Sequence, residues 1–222
     1  MRLHELKITD LLRTTGRAER LADKIPQLKS DHPEQFRWKL KGTGAEALVA
    51  QHPHMPYVLK LFPTDSKYVH FVDYVQAHKN NPHLPKFGKY VRTLPVTHKF
   101  DVAPGRWSYV TMEILQPISP HEFRTKYVKE MCAVQMIVNQ AQQEHKDLFW
   151  NSATNMSHLL DTAKEMGFDS IESCGEAADE NWKTAVTDLL KLMKQQNMPQ
   201  FDLHYNNVML RGNVLVIVDP FI

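Results

Sequence analysis

The chain has 222 residues, 42% of them hydrophobic and 23% charged, a composition that excludes disorder and leaves room for one sizeable domain or two small lobes. Its 27 Lys and Arg against 25 Asp and Glu give a formal net charge of +2, so no overall field points to nucleic acid or an anionic membrane. Two cysteines 42 positions apart, Cys132 and Cys174, exclude zinc ribbons and disulfide scaffolds, and the longest aliphatic run, residues 214–218, is far short of the ~20 residues of a membrane span; the expectation is a soluble, cytoplasmic protein.

Residues 1–35 predict a helical N-terminal extension, with Leu3, Leu6, Ile8, Leu11 and Leu12 near the 3.6 period and Pro26 as its stop. Residues 36–62 change to β-type runs at 36–41, 47–50 and 57–62, separated by a Gly42-Thr43-Gly44 turn and by a Pro- and His-containing segment at 52–56, which reads as a three-stranded meander. Residues 66–78 return to a helical rhythm whose face is Tyr68, Val69, Phe71, Val72 and Val75, and Asn80-Asn81-Pro82 stops it. Apolar segments at 88–96 and 107–115 complete a five-stranded antiparallel sheet with one helix, an N-terminal lobe of residues 36–115. Residues 116–222 form a helical second lobe, with helices at 122–147, 156–166 and 181–197 and an acidic inter-helix loop near 165–180. The lobe closes with two short strands joined at Arg211-Gly212, and the class is α+β.

The chemistry concentrates in the last 22 residues. Asp202 and Asn207 lie five positions apart on a loop leading into one apolar strand, and Asp219 follows at the end of the next, so two carboxylates and a carboxamide converge at one end of a hairpin. Oxygen ligands of this kind suit Mg²⁺, a hard cation that retains waters and shares its shell with phosphate oxygens. Asn207 and Asp219 would hold the metal, and Asp202 would orient a hydroxyl and accept its proton.

Phe201-Asp-Leu-His-Tyr-Asn-Asn-Val-Met with Val218-Asp-Pro resembles the catalytic loop and metal-binding Asp of the protein-kinase-like superfamily, with its Asp-x-x-x-x-Asn spacing. The Asp-Leu-His start and Asp-Pro ending are closer to aminoglycoside-type phosphotransferases, and closer still to the early serine/threonine kinases of short-tailed bacteriophages. The resemblance implies a bilobal fold that binds Mg-ATP between its lobes and phosphorylates Ser or Thr of host bacterial proteins in the host cytoplasm. It makes Lys60 the third-strand lysine that contacts the α- and β-phosphates, and makes Gly42 and Gly44 part of the glycine-rich loop over the nucleotide. Met112, Glu113 and Leu115 would form the hinge whose backbone reads adenine, with Thr111 or Tyr109 near the gatekeeper place.

Three departures accompany the resemblance. No Glu occurs between Glu46 and Glu113, so Asp73 is the acidic residue on the following helix available to Lys60. Pro220-Phe221 stands where Phe-Gly is usual, and the sequence ends three residues past Asp219, which reads as a helical lobe truncated after the metal-binding Asp, with no activation segment or peptide-docking platform. These departures keep two rivals open: a pseudokinase-like protein that captures or inhibits a host factor, and a kinase-like fold that transfers AMP or phosphorylates a small molecule. Other site types find little support. His121-Glu122 is followed by Thr125 where a zincin needs its second His, no Gly-x-Ser-x-Gly is present, and the basic stretches 13–20 and 24–29 lack aromatic interleaving.

Overall fold

The structure is a computed structural model that describes residues 39–43, 47–51, 55–92, 107–144, 149–150, 156–198 and 200–221; the expected helix of residues 1–35 lies outside them. The chain divides into two compact units. The first takes residues up to Val72 together with Lys86–Ile114, and the second takes Asp73–Pro85 and Leu115–Ile222.

The first unit is an antiparallel sheet of β1 (Lys39–Thr43), β2 (Leu48–Gln51), β3 (Tyr57–Pro63), β4 (Phe87–Val91) and β5 (Trp107–Glu113), in the order β1-β2-β3-β5-β4. Strand β3 lies between β2 and β5, and Val58 to Phe62 are all buried, which is why it reads as a continuous run rather than an alternating one. Helix α1 (Tyr68–Ala77) begins over this sheet: the Tyr68 ring meets Phe62 edge-on at 4.9 Å, and Phe71 meets Phe87 at 6.0 Å with the rings nearly perpendicular. Aromatic pairs in this geometry add to the burial energy itself, about 0.5–1.5 kcal/mol each. The sequence reading put Gly42 and Thr43 in a turn, but both belong to β1, Gly42 paired with Val49 and Thr43 with Leu48. A bulge between Leu40 and Gly42 absorbs the extra residue, a position where glycine's lack of a side chain is useful.

The second unit carries α2 (Pro120–Lys126), α3 (Val128–Glu144), α4 (Met156–Glu165), α5 (Ile171–Glu176) and α6 (Glu180–Gln195). The helix expected over 122–147 is two helices, interrupted at Tyr127, whose φ of −115° and ψ of 36° leave the helical region. The acidic segment expected as a loop contains α5, with Ile171, Cys174 and Gly175 buried. Ser170 and Ser173 form a reciprocal capping box at its start, satisfying N–H groups that a helix end otherwise leaves open. Helix α6 buries Trp182, Ala185, Val186, Leu189, Leu190 and Met193, the three-and-four spacing of one helical face. Among the described residues no helix is long and apolar enough to cross a membrane.

Two small sheets complete this unit: β6 (Gln116–Pro117), β9 (Val208–Arg211) and β10 (Val214–Ile217) lie in the order β10-β9-β6, while β7 (Phe149–Trp150) pairs in parallel with β8 (Gln200–Phe201). The β9–β10 turn uses Gly212 at φ 60°, the left-handed region that glycine enters without steric cost. The segment after α1 is fastened to this sheet. Arg211 donates to the carbonyls of Pro82 (2.8 Å) and Leu84 (2.9 Å), Ile217 N–H donates to the His83 carbonyl (2.9 Å), and His83 Nδ1 contacts the Leu215 carbonyl (2.7 Å). On its other side His83 Nε2 lies 3.3 Å from Asp179, the residue that caps α6 by accepting from Asn181 N–H. Partial burial pushes the Asp179 carboxyl up, but the helix N–H donors and His83 more than offset this and hold it below its ordinary value.

Gly175 marks the closest approach of α5 to α3: a Cβ there would sit 2.9 Å from Ala133 N and from the carbonyl carbon and oxygen of Cys132. Those atoms are backbone and cannot swing aside. Gly175→Ala gains roughly 1 kcal/mol of helix propensity but incurs an overpacking cost of about 1–3 kcal/mol or more. The expected net result is a lower Tm, by several degrees, in thermal denaturation followed by circular dichroism; an unchanged or raised Tm would show that the two helices separate readily.

Candidate functional site

The hairpin β9–β10 brings the predicted C-terminal residues together through backbone bonds. The chain leaves β8, passes Asp202, makes one 3₁₀ turn at Tyr205–Asn207 and enters β9. On return, Val218 and Asp219 donate their N–H groups to the Asn207 carbonyl at 2.9 and 3.4 Å, Asp202 N–H donates to the Pro220 carbonyl at 2.8 Å, and Phe201 bridges to Phe221. Three sequence-distant segments are thereby fixed against one another before any side chain is considered.

The side chains extend this order. Asn207 Nδ2 donates to Asp202 Oδ2 and to the Asp202 carbonyl, both at 2.7 Å, which fixes the orientation of its amide and turns Oδ1 away from Asp202. Asp202 is 5% exposed, and its Oδ1 is buried with no hydrogen-bond partner among the described residues. An unsatisfied buried acceptor costs on the order of 1–3 kcal/mol, more when charged, and in a native protein such an atom calls for a reason. Among the described residues the buried Lys, Arg, Asp and Glu side chains are two, Lys60 in the first unit and Asp202 in the second.

The donor set fits a hard divalent cation. The Asn207 carboxamide and the Asp219 carboxylate are oxygen donors on segments that the Asn207 carbonyl joins through backbone bonds. Among the described residues no group of three or more His, Cys, Asp and Glu is gathered for a metal.

Lys60 lies on β3 between Val49 and Val110, 4% exposed. It shares a face of the strand with Phe62, and its Nζ sits 3.5 Å from the centroid of the Tyr68 ring, at the start of α1. Sequence reasoning sought an acidic partner on this helix and did not consider the tyrosine, although a tyrosine opening the helix after the lysine strand was visible. Asp73 is on the exposed side of α1. Of the expected glycine loop, Gly42 is within β1 and Gly44 lies outside the described residues.

Of the expected hinge, Met112 is buried in β5 opposite Val58 and Phe87. Glu113 donates its N–H to the Lys86 carbonyl (3.1 Å) and accepts the Lys86 N–H through Oε1 (2.7 Å), so that amide is already committed within the sheet. Leu115 is buried and begins the second unit, Thr111 Oγ1 accepts the Lys89 N–H at 2.8 Å, and Tyr109 is buried. A desolvated cation–π contact such as Lys60–Tyr68 contributes up to about 2 kcal/mol. The cycle of Lys60→Met and Tyr68→Leu in urea unfolding is expected to return a coupling of about 1–2 kcal/mol, with Tyr68→Phe retaining it; additive single effects would show that the ring does not hold the ammonium.

No family model matches the chain. No curated protein matches it either. Among solved structures it is similar to the PknI kinase domain of Mycobacterium tuberculosis, at 14% identity over 83% of this chain and 59% of that one with a TM-score of 0.28. A second crystal structure of the same domain gives 14% identity over 83% and 58% with a TM-score of 0.30, so the chain spans a little under three fifths of the kinase domain it matches.

Proposed function

We propose that the chain is an ATP- and Mg²⁺-dependent phosphotransferase that moves a γ-phosphoryl group to a hydroxyl. The observation that carries this reading is Asp202, a buried carboxylate with one oxygen held by Asn207 and the other, Oδ1, left without a partner. A carboxylate kept in that state suits an incoming O–H, which Oδ1 can accept and orient.

In this reading Asp202 aligns the acceptor hydroxyl and takes its proton at Oδ1 as the oxygen bonds to the γ-phosphorus. The bond from the γ-phosphorus to the β,γ-bridging oxygen breaks, its electron pair leaves with ADP, and the proton passes from Asp202 to solvent. Asn207 through Oδ1 and Asp219 through its carboxylate would hold Mg²⁺, which supplies charge neutralisation on the phosphate oxygens. Lys60 is assigned the α- and β-phosphates, and Met112 and Leu115 the adenine, since the Glu113 N–H is held by the Lys86 carbonyl. Phosphoryl transfer asks the protein mainly for positioning and electrostatics, which agrees with a site fastened by backbone bonds. From the sequence resemblance, the acceptor class is Ser or Thr of host bacterial proteins during phage infection.

Asp219→Ala is expected to lower γ-phosphoryl transfer from Mg-ATP by at least about 100-fold, the several kcal/mol that a metal-held charge provides, with the folded fraction checked by circular dichroism. ATP is expected to raise Tm only when Mg²⁺ is present. Stabilisation absent with Mg-ATP, or AMP adducts in place of phosphate by mass spectrometry, would overturn the assignment.

A further inference from the structure

Asp202 has a second neighbour that the proposed mechanism has not used. His204 Nε2 lies 3.3 Å from Asp202 Oδ2, and its Nδ1 lies 3.2 Å from Asn206 N–H, capping the 3₁₀ turn. The two contacts together fix the ring. Nδ1 faces a backbone donor, so it carries a lone pair and accepts; the neutral imidazole then has its hydrogen on Nε2, where it can donate to the carboxylate. Asn207 Nδ2 lies 3.3 Å from the same Nε2 and 2.7 Å from Asp202 Oδ2. With both nitrogens bearing hydrogen, that 3.3 Å is the separation of two donors converging on one acceptor oxygen.

We infer that His204 is a positioning residue for Asp202: its Nε2–H and the Asn207 amide together occupy Oδ2, which aims Oδ1 as the oxygen that receives the acceptor hydroxyl. The inference rests on the phosphotransferase reading for what Oδ1 does, but not for how the ring is held. One donor on Oδ2 leaves the carboxylate free to rotate about χ2, a soft torsion; two donors from different directions remove that freedom. The His204 side chain is 20% exposed and that of Asp202 7%, so the pair is largely withdrawn from water, where charge-assisted bonds are strongest. The backbone cap on Nδ1 also makes the ring orientation independent of substrate. Of the two Asp202 carboxylate oxygens, Oδ1 is the one that neither His204 nor Asn207 engages.

The two roles of the ring can be separated by substitution. His204→Asn places an oxygen where Nδ1 was, preserving the cap and removing the donor to Asp202. His204→Gln places an amide N–H near the Nε2 position and removes the cap. If His204 positions Asp202, then in turnover of γ-³²P-ATP with Mg²⁺ His204→Asn keeps wild-type Tm but loses kcat about 10- to 100-fold, the range for one hydrogen bond to a charged group, with KM for ATP little changed. His204→Gln retains kcat within about threefold while its Tm falls by roughly 2–4 °C, the effect of a lost cap in a chain of this size. The reverse pattern, with His204→Asn fully active, would overturn the inference and leave the ring as a cap alone. Long-range ¹H–¹⁵N spectra of the wild-type ring at neutral pH give a readout that needs no activity: hydrogen on Nε2 and a lone pair on Nδ1 support it, and hydrogen on Nδ1 sinks it. Wild-type protein with no ATP turnover would overturn the proposed function, and the spectra would still decide how Asp202 is held.

Discussion

The carbonyl of Asn207 holds the C-terminal site together. It accepts the N–H groups of Val218 and Asp219 from the end of β10, while its own side chain donates to Asp202. One residue thus joins the loop before β9 to the segment after β10, and the Asp202–Pro220 bond closes the ring from the other side. The consequence is that the spacing of the three functional groups is set by backbone hydrogen bonds rather than by long side chains. Backbone bonds of this kind fix geometry with little conformational entropy left to lose.

The hairpin that carries these groups is itself anchored from outside. Arg211 reaches the carbonyls of Pro82 and Leu84, and His83 spans from Leu215 to Asp179 and lies edge-on to Trp182 at 5.3 Å. Trp182 in turn donates its indole N–H to the Glu130 carbonyl at 3.0 Å. The strand pair is therefore braced through His83 to the buried face of α6 and onward to α3. This explains why residues 73–85 belong with the helical unit although they follow the sheet helix in sequence. The bonds concerned join residues about 130 positions apart, and no local signal marks them.

Local signals carried the reading where the physics is local. The β3 run is a continuous apolar stretch, and the α1 face of Tyr68, Val69, Phe71, Val72 and Val75 and the α6 stripe are periodic patterns; these elements appear where such signals place them. The reading missed what periodicity does not encode. The break at Tyr127 has no Pro or Gly to announce it, and β6 is two residues long and includes a proline. Helix α5 hid behind its acidic composition, although Ser170 and Ser173 at capping-box spacing and the Ile171–Cys174 pair were a usable signal. At the site, Asp202 and Asn207 were legible because a fixed spacing of five carries them, and the tie to Asp219 followed from the hairpin. The role of His204 needed coordinates, since spacing cannot tell which ring nitrogen faces a donor and which a carboxylate. The Tyr68 contact has a different cause: a sequence signal for a lysine's partner is an opposite charge, whereas an aromatic face also attracts an ammonium.

Each unit buries one formally charged side chain among the described residues, Lys60 in the sheet and Asp202 beside the hairpin. Lys and Asp are seldom buried, because leaving water costs them more than most packing returns. Selection for stability alone would replace Lys60, in the middle of a strand flanked by Leu59 and Leu61, with an aliphatic residue, and would give Asp202 Oδ1 a donor. Neither has happened. The start of α1 meets the ammonium with an aromatic ring, and the Asp202–Asn207 loop meets one carboxylate oxygen with an amide and a histidine while the other is buried with no partner among the described residues. Within each unit the buried charge therefore lowers local stability, a cost that the packing around it offsets only in part.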